Sequence, residues 1–223
     1  MFRKYPEMKT LFKLIPSDTK GKKWDATSGE ILPETAPLHF LPLEDLVFTE
    51  KIDGTNMGIR ISDGLVTHIQ KREHICSRED NSDKFYFEVG DIISREIENK
   101  GISQLRDVII YGELCGPKIQ KGGNYFDDRK FIIFDIFDEK TDRFFTWDAV
   151  THFAKELGLE SAPEVIYDKS DLQVENVKEF ILAQKSVYNE NFGAEGLVIR
   201  YRKDTLPHRR WMAKIRKKDF RDN

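Results

Sequence analysis

The sequence predicts an α+β fold in which antiparallel β-sheets are flanked by helices. Short apolar runs rich in strand-forming residues recur along the chain, and three longer segments have the period of amphipathic helices. Hydrophobic residues make up 39% and aromatic residues 12% of the 223 positions, which is enough for an ordered core. Short strands with interspersed helices indicate the α+β class.

Seven runs are predicted to be strands because each is short and rich in Val, Ile, Phe or Tyr. They cover residues 46–51, 57–61, 65–71, 108–114, 130–137, 196–201 and 211–215. The residues that could carry chemistry lie at the ends or on the inner faces of these strands. Strands hold side chains more tightly than loops do, as a catalytic arrangement requires.

Three segments are predicted to be helices, over residues 83–100, 146–159 and 171–187. Thr146 is a possible N-cap for the second. The apolar side chains expected to share a face are Phe87, Ile92, Ile93 and Ile97 in the first segment, Val150, Phe153, Ala154 and Leu157 in the second, and Leu172, Val174, Val177, Phe180, Ile181 and Ala183 in the third. Residues 17–37 are rich in Lys, Thr, Ser, Gly and Pro and are predicted to form a loop or a loose hairpin.

The charges nearly cancel, to a net −3, so the overall balance predicts no affinity for nucleic acid. Their distribution is uneven, because residues 200–221 contain ten Lys and Arg residues but only two Asp. This segment is either a phosphate-binding face or a solvated basic tail. Two isolated cysteines, no zinc spacing and no long apolar run indicate a soluble intracellular protein with buried thiols.

The most informative segment is Lys51-Ile52-Asp53-Gly54, which follows the apolar residues 46–50 and precedes Thr55-Asn56. A lysine beside a carboxylate and a glycine in a tight turn is the arrangement that covalent nucleotidyl transfer needs. The amine must lose its proton, attack the α-phosphorus of a nucleoside triphosphate and hold the nucleotide as a phosphoramidate.

Two segments offer groups for phosphate and ribose. Arg78 follows a strand-like run and could clamp a phosphate through two hydrogen bonds, although a surface arginine is the simpler interpretation. Glu113 stands between glycines at the end of a strand. Its carboxylate could accept a hydrogen bond from a ribose hydroxyl or hold a metal-bound water, or it could be an ordinary turn glutamate.

Two more segments offer a base-binding surface. Alternation along residues 131–137 puts Phe131, Ile133, Asp135 and Phe137 on one face, and Ile132, Phe134 and Ile136 on the other. Most of this run must be core, so at most one or two side chains can stack on a purine. Glu195 opens a strand in which Val198 could cover the other face of the base.

The last segment supplies cations. In an extended strand Lys214 and Arg216 share a face, so both could meet one phosphate group. They would neutralise triphosphate charge and favour the neutral form of Lys51, because a nearby like charge disfavours a protonated amine.

Together these segments resemble the covalent nucleotidyltransferase superfamily of polynucleotide ligases and mRNA capping enzymes. The extension Glu50-Lys51-Ile52-Asp53-Gly54-Thr55-Asn56 is similar to ATP-dependent RNA ligases of the nick-sealing branch. Small single-domain ligases of bacteria and phages resemble the chain at both ends, through Arg3-Lys4-Tyr5-Pro6 and residues 212–220. The resemblance spans nearly the whole chain.

The resemblance implies ATP and Mg²⁺ (or Mn²⁺) as cofactors, and three steps: AMP is loaded on Lys51, passed to an RNA 5′-phosphate and expelled by a 3′-hydroxyl. It implies catalytic roles for Lys51, Asp53, Glu195, Lys214 and Arg216. Nucleotide-binding roles are implied for Glu50 (adenine amino edge), Ile52, Asn56, Arg78, Glu113 (ribose), Phe134 and Val198 (the two faces of the base), Lys214 and Arg216. Glu113 and Glu195 would hold the metal through water.

The resemblance leaves several points open. The family usually has a second lysine where this chain has Arg216, so the second cation is Arg216, Lys217 or Lys218. The chain is expected to be one catalytic domain, residues 1–223, without the OB domain of DNA ligases and capping enzymes. RNA ends, at a nicked duplex, a single-stranded break or a tRNA loop, are the expected partners in the cytoplasm of a bacterial or phage-infected cell.

Two alternatives are a DNA ligase or GTP-dependent capping enzyme, and a non-catalytic module that binds RNA ends. Thr55-Asn56 and the absence of an OB domain argue against the first. The second should have lost the lysine or the glutamates, which are all present.

Overall fold

The computed structural model describes residues 2–15, 26–101, 106–120, 125–208 and 210–220. The chain divides into two compact units, each assembled from segments that are distant in the sequence. The six-stranded unit comprises Met1–Pro6, Asp53–Ala162 and Asp204–Arg209, and the three-stranded unit comprises Glu7–Ile52, Pro163–Lys203 and Arg210–Asn223. A single catalytic domain over residues 1–223 stays a prediction.

The described residues form strands and helices in mixed order. The strands are β1 (Phe12–Ile15), β2 (Ala26–Ile31), β3 (Leu46–Lys51), β4 (Thr55–Ser62), β5 (Leu65–Lys71), β6 (Val108–Cys115), β7 (Lys130–Asp138), β8 (Arg143–Phe144), β9 (Glu160–Ser161), β10 (Gly196–Tyr201) and β11 (Met212–Arg216). The helices are α1 (Ala36–Phe40), α2 (Lys84–Lys100), α3 (Trp147–Leu157) and α4 (Val174–Ala183). The predicted α+β class with antiparallel sheets is confirmed, and all seven predicted strands and three predicted helices are present.

The sequence missed α1 and four strands, β1, β2, β8 and β9. Strands β1 and β2 pair antiparallel with each other, with Leu14 opposite Thr27. The polar composition of β2 (ATSGEI) conceals it from hydrophobic periodicity. Of the predicted loop 17–37, residues 17–25 lie outside the described residues, as do Arg209 and Arg221 of the basic segment.

The three-stranded unit is built on an antiparallel sheet in the order β11-β10-β3. One face of this sheet packs on helix α4 and the N-terminal segment around a core that includes Phe48, Leu197, Ile199, Ala213 and Ile215. The outer edge of β11 is covered, because the N–H of Lys214 donates to the carbonyl of Lys9 (2.9 Å) and the N–H of Leu11 donates to the carbonyl of Lys214 (3.0 Å).

The six-stranded unit contains the sheet β5-β4-β6-β7-β8, in which β9 also pairs parallel with β7. Helix α2 approaches β5 closely at Gly90, where a Cβ would collide with the side chain of Ile69. The prediction that Ile92 lies on the buried face of α2 is wrong. The face toward the sheet follows Val89, Gly90, Ile93 and Ile97, which leaves Ile92 exposed.

Helix α3 begins as predicted, because the hydroxyl of Thr146 accepts a hydrogen bond from the N–H of Ala149 (3.4 Å). Gly158 ends it in the left-handed conformation, with φ of 71°. Both cysteines are buried, as expected. No helix in the described part of the chain is long and apolar enough to cross a membrane.

Candidate active site

Four predicted site residues share one face of the sheet in the three-stranded unit. Lys51 on β3 is opposite Gly196 on β10, which is opposite Arg216 on β11, and Val198 is opposite Lys214. Paired residues in antiparallel strands point to the same side, and so do residues two apart. Lys51, Val198, Lys214 and Arg216 therefore lie on the face opposite the core.

Lys51 and Glu195 form an ion pair in which Nζ of Lys51 donates to Oε2 of Glu195. Each side chain is 25% exposed, so the pair is partly shielded from water. The carbonyl of Glu195 accepts the N–H of Lys217 (3.0 Å), which fixes the backbone just before β10. The carboxylate is thus in position to accept a proton from the amine.

Gly196 separates Lys51 from Arg216 in the middle strand. A Cβ there would collide with the carbonyl oxygen of Ile215 and lie 2.9 Å from Cα of Arg216. The missing side chain therefore allows β10 and β11 to approach each other directly beside the lysine.

Arg216 is already engaged by an acid that the sequence did not single out. Asp219 is buried in the turn after β11 and accepts two hydrogen bonds from Arg216, from the backbone N–H (2.8 Å) and from Nε (2.9 Å). Its carboxylate also forms an ion pair with Nη2 of Arg216 (2.7 Å). The guanidinium is thereby oriented and its charge is offset. The only signal in the sequence was an acid three residues after the cation.

The other two cations differ in environment. Lys217 donates to the carbonyl of Gln184 (2.6 Å), and burial lowers its pKa, with a contribution from the charge of Lys185. Lys218 has no hydrogen bond or ion pair with any residue that the structure describes. Of the three candidates for the second cation of the predicted triphosphate site, Arg216 is the one that the strand register places on the face of Lys51, and Lys217 and Lys218 follow the end of β11.

Glu50 lies on the core side of β3, away from Lys51. It is 1% exposed, and its Oε2 accepts the N–H of Val187 (2.7 Å). Burial raises its pKa above the ordinary value, although the N–H of Val187 and nearby Ser186 and Lys217 act in the opposite direction. Its Oε1 is buried without a hydrogen-bond partner among the described residues. The adjacent Ile52 is also buried.

The segment after Lys51 is anchored within the six-stranded unit. The N–H of Asp53 donates to Oη of the buried Tyr125 (3.2 Å). Gly54 does not have the positive φ of a tight turn. It is required instead because a Cβ would collide with the carbonyl of Leu114 and lie 2.7 Å from Cγ of Glu113. The glycine of the motif is therefore a close-packing residue.

Asn56 and Glu113 are neighbours on paired strands, at opposite positions of β4 and β6. Both are half-buried. Oδ1 of Asn56 has no hydrogen-bond partner among the described residues, although it is buried. The amide oxygen of Asn56 and the carboxylate of Glu113 lie on one face and are acceptors that suit the recognition of hydroxyl groups.

Arg78 is on the surface of the six-stranded unit. Its guanidinium forms two hydrogen bonds with Asp91 on α2 (2.6 and 3.2 Å), lies 4.3 Å from the ring centroid of Phe87 and is 66% exposed as a side chain. The structure thus gives Arg78 the partners of a surface arginine, and its phosphate-binding role stays a prediction.

Phe134 lies at a β-bulge, which corrects the simple alternation expected along β7. Tyr111 is opposite Asp135 and Gly112 is opposite Ile133, so Phe134 is the extra residue. Both Phe134 and Asp135 contact Tyr5, the first through its ring and the second through a hydrogen bond. Phe134 and Asp135, which simple alternation places on opposite faces of the strand, therefore both contact the side chain of Tyr5.

No group of three or more His, Cys, Asp or Glu side chains in the described ranges could together enclose a metal ion. Glu195 belongs to the three-stranded unit and Glu113 to the six-stranded unit. A hydrated Mg²⁺ ion keeps several of its waters and is held by one or two carboxylates. The water-mediated metal binding expected at Glu113 and Glu195 stays a prediction.

Comparison with known proteins identifies the fold. A family model for RNA ligases matches residues 44–216. A search among curated protein sequences found no match.

Several solved structures of a Naegleria gruberi RNA ligase are similar. A variant solved with ATP and Mn has a TM-score of 0.63 at 17% identity, and the match covers 95% of this chain and 62% of that one. An apo variant has a TM-score of 0.58 at 22% identity over 78% of this chain and 49% of that one. The chain thus spans about half to three fifths of the length of these ligases. At these identities the likeness shows the fold.

Proposed function

The chain belongs to the RNA ligase family, and we propose from that premise that it is an ATP-dependent RNA ligase acting through a lysyl-adenylate at Lys51. The observation that carries the proposal is the position of the Lys51 amine. It contacts the carboxylate of Glu195 on the sheet face that also bears Lys214 and Arg216. A nucleophile, a proton acceptor and two cations are the groups that nucleotidyl transfer to an amine requires.

In the first step, Nζ of Lys51 attacks the α-phosphorus of ATP. A P–N bond forms, the bond to pyrophosphate breaks, and Glu195 is the group in contact that can accept the proton of the amine. In the second step, an oxygen of the RNA 5′-phosphate displaces the lysine from the phosphorus. In the third, a 3′-hydroxyl attacks the RNA phosphate, and AMP leaves as the new phosphodiester forms.

The nucleotide roles rest on the chemistry of each group. Glu50 keeps its proposed role at the adenine amino edge because its Oε1 has no hydrogen-bond partner among the described residues, although its side chain is on the core side of β3. Guanine lacks an amino group at that position. Phe134 and Val198 offer apolar surfaces for the base, and Glu113 and Asn56 offer acceptors for hydroxyl groups. Solved relatives bound to ATP, AMP and Mn support the same cofactors here.

A divalent metal, when bound, would stabilise the negative charge that builds on the leaving pyrophosphate. Glu195 and Glu113 are the carboxylates proposed to hold its waters. Asp53 is proposed to support the lysine through the backbone, since its N–H is anchored to Tyr125. Lys214 and Arg216 would contact triphosphate oxygens, and Arg78 an RNA or nucleotide phosphate.

The proposed partner is an RNA end, with a nicked duplex as the first substrate to test, in the cytoplasm of a bacterial or phage-infected cell. RNA ends carry the 5′-phosphate and 3′-hydroxyl that the second and third steps consume.

Labelling with α-³²P nucleotide tests the proposal directly. The full chain is incubated with labelled ATP or GTP and Mg²⁺, and denaturing gels are scanned for covalent label. We expect label from ATP and not from GTP, and none in Lys51→Ala. Lys13→Ala is the matched control, because Lys13 forms an exposed ion pair with Glu30 (3.0 Å) in the same unit. Label from GTP alone would indicate a capping enzyme, and no label from either nucleotide would leave a binding module.

A further inference from the structure

The first residues of the chain lie against the strand that carries Phe134. The carbonyl of Arg3 accepts two hydrogen bonds, from Oη of Tyr111 (2.8 Å) and from Nε2 of Gln70 (2.7 Å). The guanidinium of Arg3 lies 3.7 Å from the ring centroid of Phe137. These contacts hold the N-terminal segment on β5, β6 and β7 of the six-stranded unit.

Tyr5 is the residue of this segment that reaches the bulge. Its side chain is buried, and its hydroxyl donates to Oδ2 of the fully buried Asp135 (2.8 Å). Its ring is 5.0 Å from that of Phe134 at an interplanar angle of 68°, an edge-to-face contact. The same ring lies 5.0 Å from the ring of Tyr111, so it is itself fixed in place.

Phe134 needs such support because of its place in the strand. It is the extra residue of the bulge between the pairs Tyr111–Asp135 and Gly112–Ile133, and a bulge bends the strand and disrupts the local ladder. Its ring is only partly buried. The hydrogen bond from Tyr5 to Asp135 and the edge-to-face contact of Tyr5 with the Phe134 ring restrain the strand and the ring at this bulge.

We propose that Tyr5 is a positioning residue for nucleotide binding: it sets the tilt of the Phe134 ring and so prepares that ring to stack on adenine. The inference rests on the proposed function, in which Phe134 binds the base. Tyr5 itself touches no substrate in this scheme. It acts through the ring of Phe134 and the carboxylate of Asp135.

The test compares ligands with and without a base. For each variant, the ATP concentration that gives half-maximal self-adenylylation is measured, together with the inhibition constant of tripolyphosphate, which carries phosphates but no base. We expect Tyr5→Ala to raise the ATP value about tenfold, as loss of one well-oriented aromatic contact would. Tyr5→Phe, which keeps the ring and loses the hydroxyl, should raise it about threefold. Tripolyphosphate inhibition should not change in either variant.

The matched control is Lys4→Ala, which removes the side chain next to Tyr5 in the sequence. Lys4 forms an exposed ion pair with Glu73 and has no part in the proposed support of Phe134. This variant should leave both values unchanged. Phe134→Ala should raise the ATP concentration for half-maximal self-adenylylation at least as much as Tyr5→Ala does. The double variant should raise it no further than Phe134→Ala alone, because both changes act on the same stacking surface.

Each outcome separates the inference from the function on which it rests. A parallel loss of ATP and tripolyphosphate binding in Tyr5→Phe would show a general structural defect and overturn the inference. So would an unchanged ATP value in Tyr5→Ala, or additive losses in the double variant. If Phe134→Ala left the ATP value unchanged while the wild-type chain was labelled, this result would disprove stacking by Phe134 and, with it, the inference about Tyr5. Absence of label in the wild-type chain would instead remove the proposed function itself.

Discussion

At the scale of single residues, three glycines allow the predicted site residues to approach each other. Gly54 packs on Glu113, Gly196 lies between Lys51 and Arg216, and Gly112 precedes Glu113 with no room for a Cβ beside the carbonyl of Ile132 (2.5 Å). The close approach in each case is to backbone, which cannot rotate away. Conformational freedom is not the reason, since none of the three has a positive φ.

We expect Gly196→Ala to lose adenylate label and to unfold more easily, by about 2 kcal/mol, because the new methyl group would force β11 away from β10. Thermal unfolding and ATP labelling measure the two effects. Gly193→Ala is the matched control, since its Cβ would meet only the flexible end of Lys217 (3.0 Å). Equal behaviour of the two variants would contradict this account of Gly196.

At the scale of elements, a buried ion pair orders the segment between β5 and α2. The carboxylate of Asp83 is 2% exposed, forms an ion pair with Lys71 and accepts the N–H of Ser77 (2.9 Å). Burial alone would raise the pKa of Asp83, but these partners outweigh it and hold the pKa below the ordinary value. The hydrogen bond to Asp83 raises the pKa of Lys71. The pair thus holds the segment that carries Arg78.

We expect Asp83→Asn to lower the free energy of unfolding by about 3 kcal/mol, because Lys71 would lose its partner. The lowered pKa of Asp83 means that its contribution is present above the ordinary carboxyl pKa of about 3.9 and disappears as the pH falls through the folded value. Denaturant unfolding at neutral and acid pH measures both effects. Asp91→Asn, which breaks the exposed pair with Arg78, should cost far less. A similar cost for both variants would show that burial does not strengthen the Asp83 pair.

At the scale of the whole molecule, the proposed reaction needs Lys51 in the first two steps only. We therefore expect Lys51→Ala to fail with ATP but still to seal a nicked RNA duplex that already carries the 5′-adenylate. Sealing is followed on denaturing gels with a labelled RNA strand. Failure of Lys51→Ala on adenylylated RNA would place Lys51 in the last step as well.

The same gel assay compares RNA with DNA on the 3′-hydroxyl side of the nick. We expect an RNA 3′-end to react about fivefold to tenfold faster, because a DNA 3′-end lacks the 2′-hydroxyl and so loses one hydrogen bond.

The sequence by itself determined where the segments lie and what chemistry they can do. Strands β3, β5 and β10 have the bounds that the sequence predicts, because each run is short and rich in strand-forming residues. The proposed nucleophile Lys51 and its proposed partners Glu195 and Lys214 could be named from residue type and order, and their roles stay predictions.

Only the tertiary structure decided which groups meet. Lys51 and Glu195 are 144 residues apart, and strand register alone brings the amine to the carboxylate. The bulge at Phe134, the hold of Asp219 on Arg216 and the contact of Tyr5 with β7 likewise depend on long-range pairing or local backbone geometry. Periodicity reports the burial of one segment, whereas register and contact depend on two segments at once, which is why the sequence could not supply them.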